Sequence, residues 1–220
     1  MKRILTIFSV ILTLMFIAAC GNKPATADQV KDGKTSTDST NSNKSVAVVY
    51  STGGKGDKSF NDSTFRGLEK AKKELGITYS EYEPKDPNSE AKDALTRFAE
   101  EGQYDLIIAV GYTMQDAVTA VADAFPEQKF AIIDSVVNGK PNVASITFKE
   151  EEGSFLVGAL AAMMDKTGTI GFVGADNSDL IAKFFAGYAQ GARYVKPDIK
   201  VIPVTIGGTS AFNDQASAKA

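Results

Sequence analysis

Histidine and cysteine, which build many active sites, are almost missing from this sequence of 220 residues. It contains no histidine and no tryptophan, and its one cysteine is Cys20. These absences exclude histidine-based acid–base catalysis, Cys/His metal sites and a disulfide within the chain. The net charge of -3 offers little electrostatic attraction to nucleic acid. We therefore expect no metal, no cofactor and no nucleic-acid partner, and most familiar hydrolase mechanisms are excluded.

The first 20 residues have the pattern of a bacterial export signal. A basic start, MKR, precedes an apolar run from Ile4 to Ala19 that is shorter than the roughly 20 residues of a comfortable membrane span. The segment 17–20, IAAC, resembles the lipobox of bacterial lipoproteins, in which the cysteine is acylated and becomes the mature N-terminus. This pattern predicts a signal peptide over 1–20 and lipidation at Cys20. The alternative is a secretory signal whose last residue happens to be cysteine.

Residues 21–45 are rich in Ser, Thr, Asn, Asp and Lys and contain one aliphatic residue larger than alanine. Such a segment cannot bury enough apolar area to offset the entropy lost on ordering. The sequence therefore predicts a flexible tether, with a span of roughly 25 to 30 Å as a random coil. With an acylated Cys20, it would hold a folded domain at the extracytoplasmic face of the cell membrane.

From residue 46 onward, apolar runs alternate with amphipathic segments. Runs typical of parallel strands buried on both faces occupy 46–50, 105–110, 129–134, 169–174 and 200–206, whereas 77–83 alternates and favours an edge strand. Helical stripes occupy 63–75, 86–102, 113–125, 151–164 and 177–195. Gly76 and Gly102 are expected to end the first two helices, and Asn88 or Ser89 to cap the second. Repeated β–α units predict an α/β fold with doubly wound parallel sheets.

The rhythm breaks at 142–148, a strand-like segment that follows the previous strand with no room for a helix. We place a boundary there, with a first lobe over 46–147 and a second over 148–220. The second lobe contains only two obvious strands and then a new helix capped by Asn213 or Asp214, fewer strands than the 4 to 6 of a typical sheet. We therefore expect this lobe to be incomplete, and Met163 and Met164 to lie in its core.

The glycine-rich segment 53–62, GGKGDKSFND, follows the first strand, where ligands bind in open α/β sheets. It lacks the G-K-[ST] triplet of a Walker A phosphate loop, the third glycine of a dinucleotide fingerprint and the closing Glu of a calcium loop. Two interpretations remain open. Asp57, Phe60 and Asn61 are presented to an uncharged aromatic ligand, or Phe60 is a hydrophobic staple and Asn61 a helix cap, with Asp57 solvated.

Four segments, in order, resemble the basic membrane protein family of bacterial lipoproteins, and especially its purine nucleoside receptor A-like members. They are DKSFND (57–62), FAIIDSVV (130–137), EEGSFLVGALAAMM (151–164) and IGFVGADNS followed by FFAGYAQGA (170–192). The resemblance covers 46–214. It implies a type I periplasmic-binding-protein fold whose two lobes close over a nucleoside. It also implies a monomer that serves a nucleoside ABC importer, with the permease as partner and no enzymatic activity.

The same resemblance implies that Phe60 and Phe184 hold the base between their rings. Helical periodicity, taken alone, places Phe184 on the packed stripe and Phe185 nearer its edge. The family match favours Phe184, and separate alanine substitutions decide between them.

The resemblance also implies polar contacts. Asn61 and Asp57 would bond to base or ribose edges and Asp134 to ribose hydroxyls, while Gly111 and Tyr112 would line the cleft floor. A later Asp and Lys that complete the sugar contacts in the family have no counterpart in this sequence, so the expected site is partial. Competing functions are a sugar or signalling-molecule receptor on the same fold, a nucleoside hydrolase that uses Asp57 or Asp134, and a surface antigen.

Overall fold

The computed structural model describes residues 44–208, 211–212 and 214–219. The expected signal peptide with Cys20, and all but the last two residues of the expected tether 21–45, lie outside these described residues. Within the described ranges, no helix has the length and apolar character needed to cross a membrane.

Five parallel strands form the sheet of the first lobe, in the spatial order β2-β1-β3-β4-β5. They are β1 Ser45–Val49, β2 Thr78–Tyr82, β3 Leu106–Val110, β4 Phe130–Ile133 and β5 Val143–Ile146. The continuous apolar runs form the interior strands, and the alternating segment forms the edge strand β2. This arrangement confirms the predicted α/β architecture with a parallel sheet.

Three helices cover this sheet: α1 Phe60–Leu75, α2 Pro87–Glu101 and α3 Gln115–Ala124, the last preceded by a 3-10 turn at Tyr112–Met114. Gly76 and Gly102 end the first two helices in the left-handed conformation, as predicted. The expected cap of α2 at Asn88 or Ser89 is wrong. Asp86 is the cap and accepts from the backbone N–H of Asn88, because Pro87 fits the first helical position and moves the start toward the N-terminus.

The core of the first lobe lies between the sheet and these helices. Its fully buried side chains come mainly from the three interior strands and from α2 and α3, and the largest are Tyr50, Leu95, Ile107, Phe130 and Ile132. Burial of each large apolar side chain contributes about 1.5–3 kcal/mol before entropy is subtracted. This well-packed core therefore fixes the positions of the carboxyl ends of β1, β3 and β4.

The last strand of the first-lobe sheet, β5, runs parallel to β4 although only residues 134–142 connect them, with no helix between. Asp134, the first residue of this connection, has φ 70 and donates its N–H to the carbonyl of Ile146 at 2.7 Å. The lobe boundary proposed near residue 148 falls between the end of β5 and the next helix.

The second lobe has two parallel strands among its described residues, flanked by helices. Its elements are α4 Glu150–Met164, β6 Thr169–Gly174, α5 Asp179–Val195, β7 Lys200–Thr205 and α6 Gln215–Lys219. Helices α4 and α5 approach so closely that a Cβ on Gly191 would lie 1.9 Å from the carbonyl oxygen of Phe155. Asp214 accepts from the N–H of Ser217 at 2.9 Å, in agreement with its expected role at the start of α6.

One face of α4 is apolar and exposed. Met163 and Met164 are 67% and 72% exposed, so the expectation that they lie in a core is wrong. They lie on the surface because no described element packs over this face of α4. The same surface includes Leu156, Val157 and Leu160.

Candidate ligand-binding cleft

A cavity of about 550 Å³ opens where the chain leaves β1, β3, β4 and β6, and both lobes contribute to its wall. Ligands bind at this carboxyl edge in open parallel α/β sheets. Six of the seven predicted ligand-binding residues line it: Asp57, Phe60, Gly111, Tyr112, Asp134 and Phe184.

The glycine-rich loop folds around two of its own carboxylates. Asp57 accepts from the backbone N–H groups of Ser59 at 2.8 Å, Asn61 at 2.9 Å and Asp62 at 3.1 Å. Asp62 in turn accepts from those of Gly56 at 2.7 Å and Lys58 at 3.0 Å. A phosphate loop needs its N–H groups free to bind the anion. Here the donors are satisfied inside the loop, which agrees with the missing phosphate motifs.

Asp57 thus caps the first turn of α1, and this cap explains why the helix begins at Phe60 rather than at residue 63. Burial alone would raise the pKa of Asp57, but the three backbone N–H donors outweigh it and lower the pKa below its usual value. The carboxylate is therefore ionised at neutral pH while it lines the cavity. Neither earlier interpretation is complete, because Asp57 is a helix cap and a cavity residue together.

Asn61 is the one predicted site residue that the structure does not bring to the cavity. Its side chain is fully buried, and its Oδ1 accepts from the backbone N–H of Ser51 at 2.9 Å. Its Nδ2 donates to the carbonyls of Ser51 at 3.4 Å and Thr52 at 3.5 Å. This geometry corrects the expected ligand contact to a positioning role, because every polar atom of the side chain is bonded to the loop after β1.

Phe60 projects from the start of α1 into the cavity wall and is 38% exposed. Its ring meets Phe148 edge to face, with 6.3 Å between ring centroids. Phe148 follows β5 and is itself exposed, so the pair stands at the mouth between the lobes. An exposed aromatic face at this place is available to a flat ligand.

Phe184 and Phe185 lie next to each other on α5 but face different surroundings. Phe184, on the second lobe, lines the same cavity as Phe60. Phe185 packs against Phe172 of β6, with 5.4 Å between ring centroids. The wall of the cleft thus contains Phe184, and Phe185 belongs to the packing between α5 and its sheet.

Asp134 lies at the end of β4, is 7% exposed and lines the cavity. Its left-handed backbone conformation is uncommon for a residue other than glycine and costs roughly 1–2 kcal/mol. Among the described residues, only Lys58 shares this property. Burial, followed by the adjacent carboxyl of Glu150, raises the pKa of Asp134 to about 6.

Glu150 is a site residue that sequence reasoning missed. It begins α4, is 7% exposed, and its Oε2 lies 3.6 Å from Nζ of Lys183 on α5. In the sequence it is the first of three consecutive glutamates at a helix start, a pattern typical of favourable helix-dipole placement. Nothing in that pattern separates Glu150 from its two exposed neighbours, so only packing reveals it.

Gly111 and Tyr112 follow β3 and line the cavity, as expected for the cleft floor. Gly111 has φ 105, and a Cβ there would lie 3.2 Å from Cβ of Ser51. The hydroxyl of Tyr112 donates to the carboxylate of Asp176, which follows β6 on the second lobe. This hydrogen bond joins the two lobes at the rim of the cavity. Burial and then Asp176 raise the pKa of Tyr112 well above its usual value.

The cavity is mainly apolar, and the charged residues in its described lining are Asp57 and Asp134. No lysine or arginine is among those lining residues. Within the described part of the chain, no group of three His, Cys, Asp or Glu side chains is placed to hold a metal ion. Such a cleft suits an uncharged or cationic molecule with a flat apolar part and hydrogen-bond donors.

Two parallel α/β lobes that form a cleft at their strand ends define the periplasmic-binding-protein fold class. The structure is similar to the crystal structure of an ABC transporter system solute-binding protein from Aeropyrum pernix K1, with a TM-score of 0.68 and 33% identity. That match covers 74% of this chain and 48% of the Aeropyrum chain.

The family follows from the sequence. Residues 44–220 match the family model described as Bmp, ABC transporter substrate-binding protein PnrA-like, and the chain belongs to this family. The family is one of binding proteins and not of enzymes by that description.

Named relatives are similar over most of this chain. The ABC transporter nucleoside-binding protein BmpA of Lactococcus lactis subsp. cremoris is 35% identical over 99% of this chain and 60% of its own length. A lipoprotein of Pyrococcus furiosus is 36% identical over 86% of this chain and 46% of its own. The chain therefore spans about half the length of the relatives that it matches.

Proposed function

We propose that this chain is the ligand-capturing part of an extracytoplasmic solute-binding protein that delivers nucleosides, purine nucleosides above all, to an ABC importer. One observation carries this proposal: Phe60 and Phe184, from different lobes, line one cavity together with the carboxyl groups of Asp57 and Asp134. A purine offers two flat faces to aromatic rings, and ribose offers hydroxyl donors to carboxylates.

The energetics of this arrangement are adequate for capture without chemistry. Stacking of a base on an aromatic ring contributes about 1–3 kcal/mol, and a hydrogen bond to a charged group about 1.5–3 kcal/mol. Two stacks and a few such bonds, less the costs of association and lobe closure, give affinities in the micromolar range or better. The acidic lining favours nucleosides over nucleotides, because a phosphate in this cavity would face two carboxylates and no described cation.

The proposal includes a lipid anchor and a permease partner. The lipobox-like segment ending at Cys20 supports acylation, and a relative named as a lipoprotein supports the same location. The relative named as an ABC transporter nucleoside-binding protein supports both ligand and partner. In this proposal, the protein works as a monomer tethered to the outer face of the cell membrane.

The test is adenosine affinity, measured by calorimetry for the wild-type protein and for Phe60→Ala, Phe184→Ala and Phe185→Ala. Loss of one stacking face should weaken binding about 5- to 150-fold for Phe60→Ala and for Phe184→Ala, which corresponds to about 1–3 kcal/mol. Phe185→Ala is the matched control and should keep its affinity while its melting temperature falls, because it loses its contact with Phe172. An affinity loss confined to Phe185→Ala would contradict the assignment of Phe184.

A ligand screen separates nucleoside capture from its competitors. Thermal shifts should be produced by purine nucleosides and not by ribose, free bases or amino acids at equal concentration. Stabilisation by ribose alone would overturn the nucleoside assignment in favour of a sugar receptor. Release of free base from inosine during long incubation would instead indicate a hydrolase.

A further inference from the structure

The junction between the lobes contains two buried carboxyl groups that face each other. Asp134 comes from the end of β4 and Glu150 from the first turn of α4, and both are 7% exposed. Both line a second cavity at the junction of the lobes, and each carboxyl group shifts the pKa of the other. Asp134 Oδ1 and Glu150 Oε2 are buried and have no hydrogen-bond partner, and Oε2 lies 3.6 Å from Nζ of Lys183.

Two ionised carboxylates in this position would repel each other, and each would leave one buried oxygen without a donor. One proton removes both problems, because a protonated carboxyl donates to its neighbour and the pair then carries a single negative charge. Carboxyl pairs of this kind take up and release their protons as a unit. The two unpaired buried oxygens are thus explained by one hydrogen atom.

The surroundings place this proton on Asp134. Burial alone would raise the pKa of Glu150, but backbone N–H donors at the start of α4, the hydrogen bond with Asp134 and nearby Lys183 together lower it. The positive end of the helix dipole acts in the same direction. Asp134 has no comparable backbone N–H donors, and burial followed by Glu150 raises its pKa to about 6. Lys183 opposes this rise, but its effect is smaller than those of burial and Glu150.

We propose that Glu150 is a positioning residue that acts through Asp134: at mildly acidic pH the two carboxyl groups share one proton in the ligand-free protein, and nucleoside binding releases it. This inference rests on the proposed function. The Asp134 O–H bond breaks, its proton passes to the buffer, and the ribose hydroxyls keep their own protons and donate hydrogen bonds to the resulting carboxylate. Binding and proton release are therefore linked.

Other titratable groups near Asp134 do not supply this linkage. Tyr112, from the 3-10 turn, stays neutral because its pKa is raised. Asp57, from the loop before α1, stays ionised because its pKa is lowered. Lys183, from α5, pairs with Glu150 at 3.6 Å. Between pH 5 and 8, the proton of the Asp134–Glu150 pair is the one that changes.

The sign follows from the raised pKa of Asp134. If the ligand binds the ionised form, affinity is highest above pH 7 and falls as the pH drops through about 6. At pH 5 it should be about tenfold weaker than on the plateau, since one linked proton changes affinity tenfold per pH unit below the midpoint. Glu150→Gln removes the negative neighbour and supplies an amide donor, so the fall should move at least about one pH unit lower.

The experiment measures adenosine affinity of the protein from pH 4.5 to pH 8 for wild type, Glu150→Gln and the control Glu151→Gln, which changes an exposed neighbour in the same helical turn. Calorimetry in buffers of different ionisation enthalpy counts the protons released. We expect about one proton released by wild type and Glu151→Gln at pH 5, and about half a proton or less by Glu150→Gln. A Glu150→Gln profile that coincides with the wild-type profile overturns the proposal.

A second measurement needs neither ligand nor variant. The carboxyl carbon of Asp134 in the ligand-free wild-type protein, followed by NMR during a pH titration, should show a midpoint near 6. A midpoint near the usual value of about 4 overturns the shared proton whether or not adenosine binds. Conversely, a midpoint near 6 without adenosine binding at any pH rejects the proposed function and leaves the carboxyl pair established.

Discussion

Asn61 holds the loop that follows β1 in place from behind the cleft. Its amide satisfies the backbone N–H of Ser51 and reaches the carbonyls of Ser51 and Thr52. Both of these loop residues line the cavity. A side chain with one acceptor and two donors fits this position, and no apolar residue of similar size replaces those bonds.

Asn61→Ala should therefore lower the free energy of unfolding by about 1–3 kcal/mol, because it leaves a buried backbone N–H without an acceptor. Urea denaturation followed by circular dichroism measures this change. Asn88→Ala is the control, since Asn88 is an exposed asparagine in the first turn of α2. A variant with unchanged stability and weakened adenosine binding would return Asn61 to the ligand contacts.

The individual site residues differ in how far sequence could place them. Gly111 and Asp134 follow buried strands directly and Phe60 ends the loop after β1, so topology alone brings them to one edge of the sheet. Asn61 and Glu150 could not be assigned this way. The role of each depends on the direction in which its side chain points within the first turn of a helix, and that direction is set by packing across the chain.

At the scale of single elements, sequence placed the strands and helix ends well and the helix starts less well. The helix ends carry a local signal, a glycine in the left-handed conformation at Gly76 and Gly102. The helix starts depend on which carboxylate side chain accepts hydrogen bonds from the free backbone N–H groups of the first turn. Asp57 does so and extends α1 beyond the start that apolar periodicity indicated, and Asp86 does so ahead of the expected caps Asn88 and Ser89.

Helices α4 and α5 of the second lobe pack closely because glycines lie at their contact. At Gly191 of α5 the neighbouring backbone of α4 occupies the space of a Cβ, at 1.9 Å. Gly191→Ala should separate the helices and cost about 3 kcal/mol or more, at the upper end of overpacking effects. Gly67→Ala on α1 is the matched control, because a Cβ there meets nothing within 4 Å.

Thermal unfolding compares the two variants. Gly67→Ala should be neutral or stabilise the protein by up to about 1 kcal/mol, since alanine favours the helix over glycine. Equal melting temperatures for Gly191→Ala and wild type would show that the backbones of α4 and α5 are not in close contact.

Met163 and Met164 could not be placed from sequence. Apolar side chains alone do not reveal whether another element covers the helix face on which they lie.

At the scale of the whole molecule, the hydrogen bond from Tyr112 to Asp176 connects the lobes directly at the rim of the cavity. Tyr112 belongs to the first lobe and Asp176 to the second. A bond from a hydroxyl to a carboxylate contributes about 1.5–3 kcal/mol when it is shielded from water. We expect it to favour the closed arrangement of the lobes and so to slow ligand release.

Tyr112→Phe should increase the dissociation rate of adenosine about tenfold, measured by stopped-flow fluorescence or surface plasmon resonance. Asp176→Ala should have a similar effect, and the double variant should add little to either, because both single changes remove the same bond. Tyr104→Phe is the control, since its hydroxyl donates to Glu101 away from the cleft. Additive effects of the two single changes would mean that Tyr112 acts on the ligand rather than on Asp176.

The backbone N–H groups of the glycine-rich loop are already bonded to Asp57 and Asp62, and this affects which solutes the loop attracts. A loop with unoccupied N–H donors would attract inorganic phosphate. In this loop the donors are bonded to carboxylate oxygens instead. Under the proposed function, the cavity therefore stays vacant for neutral solutes even in a medium crowded with anions.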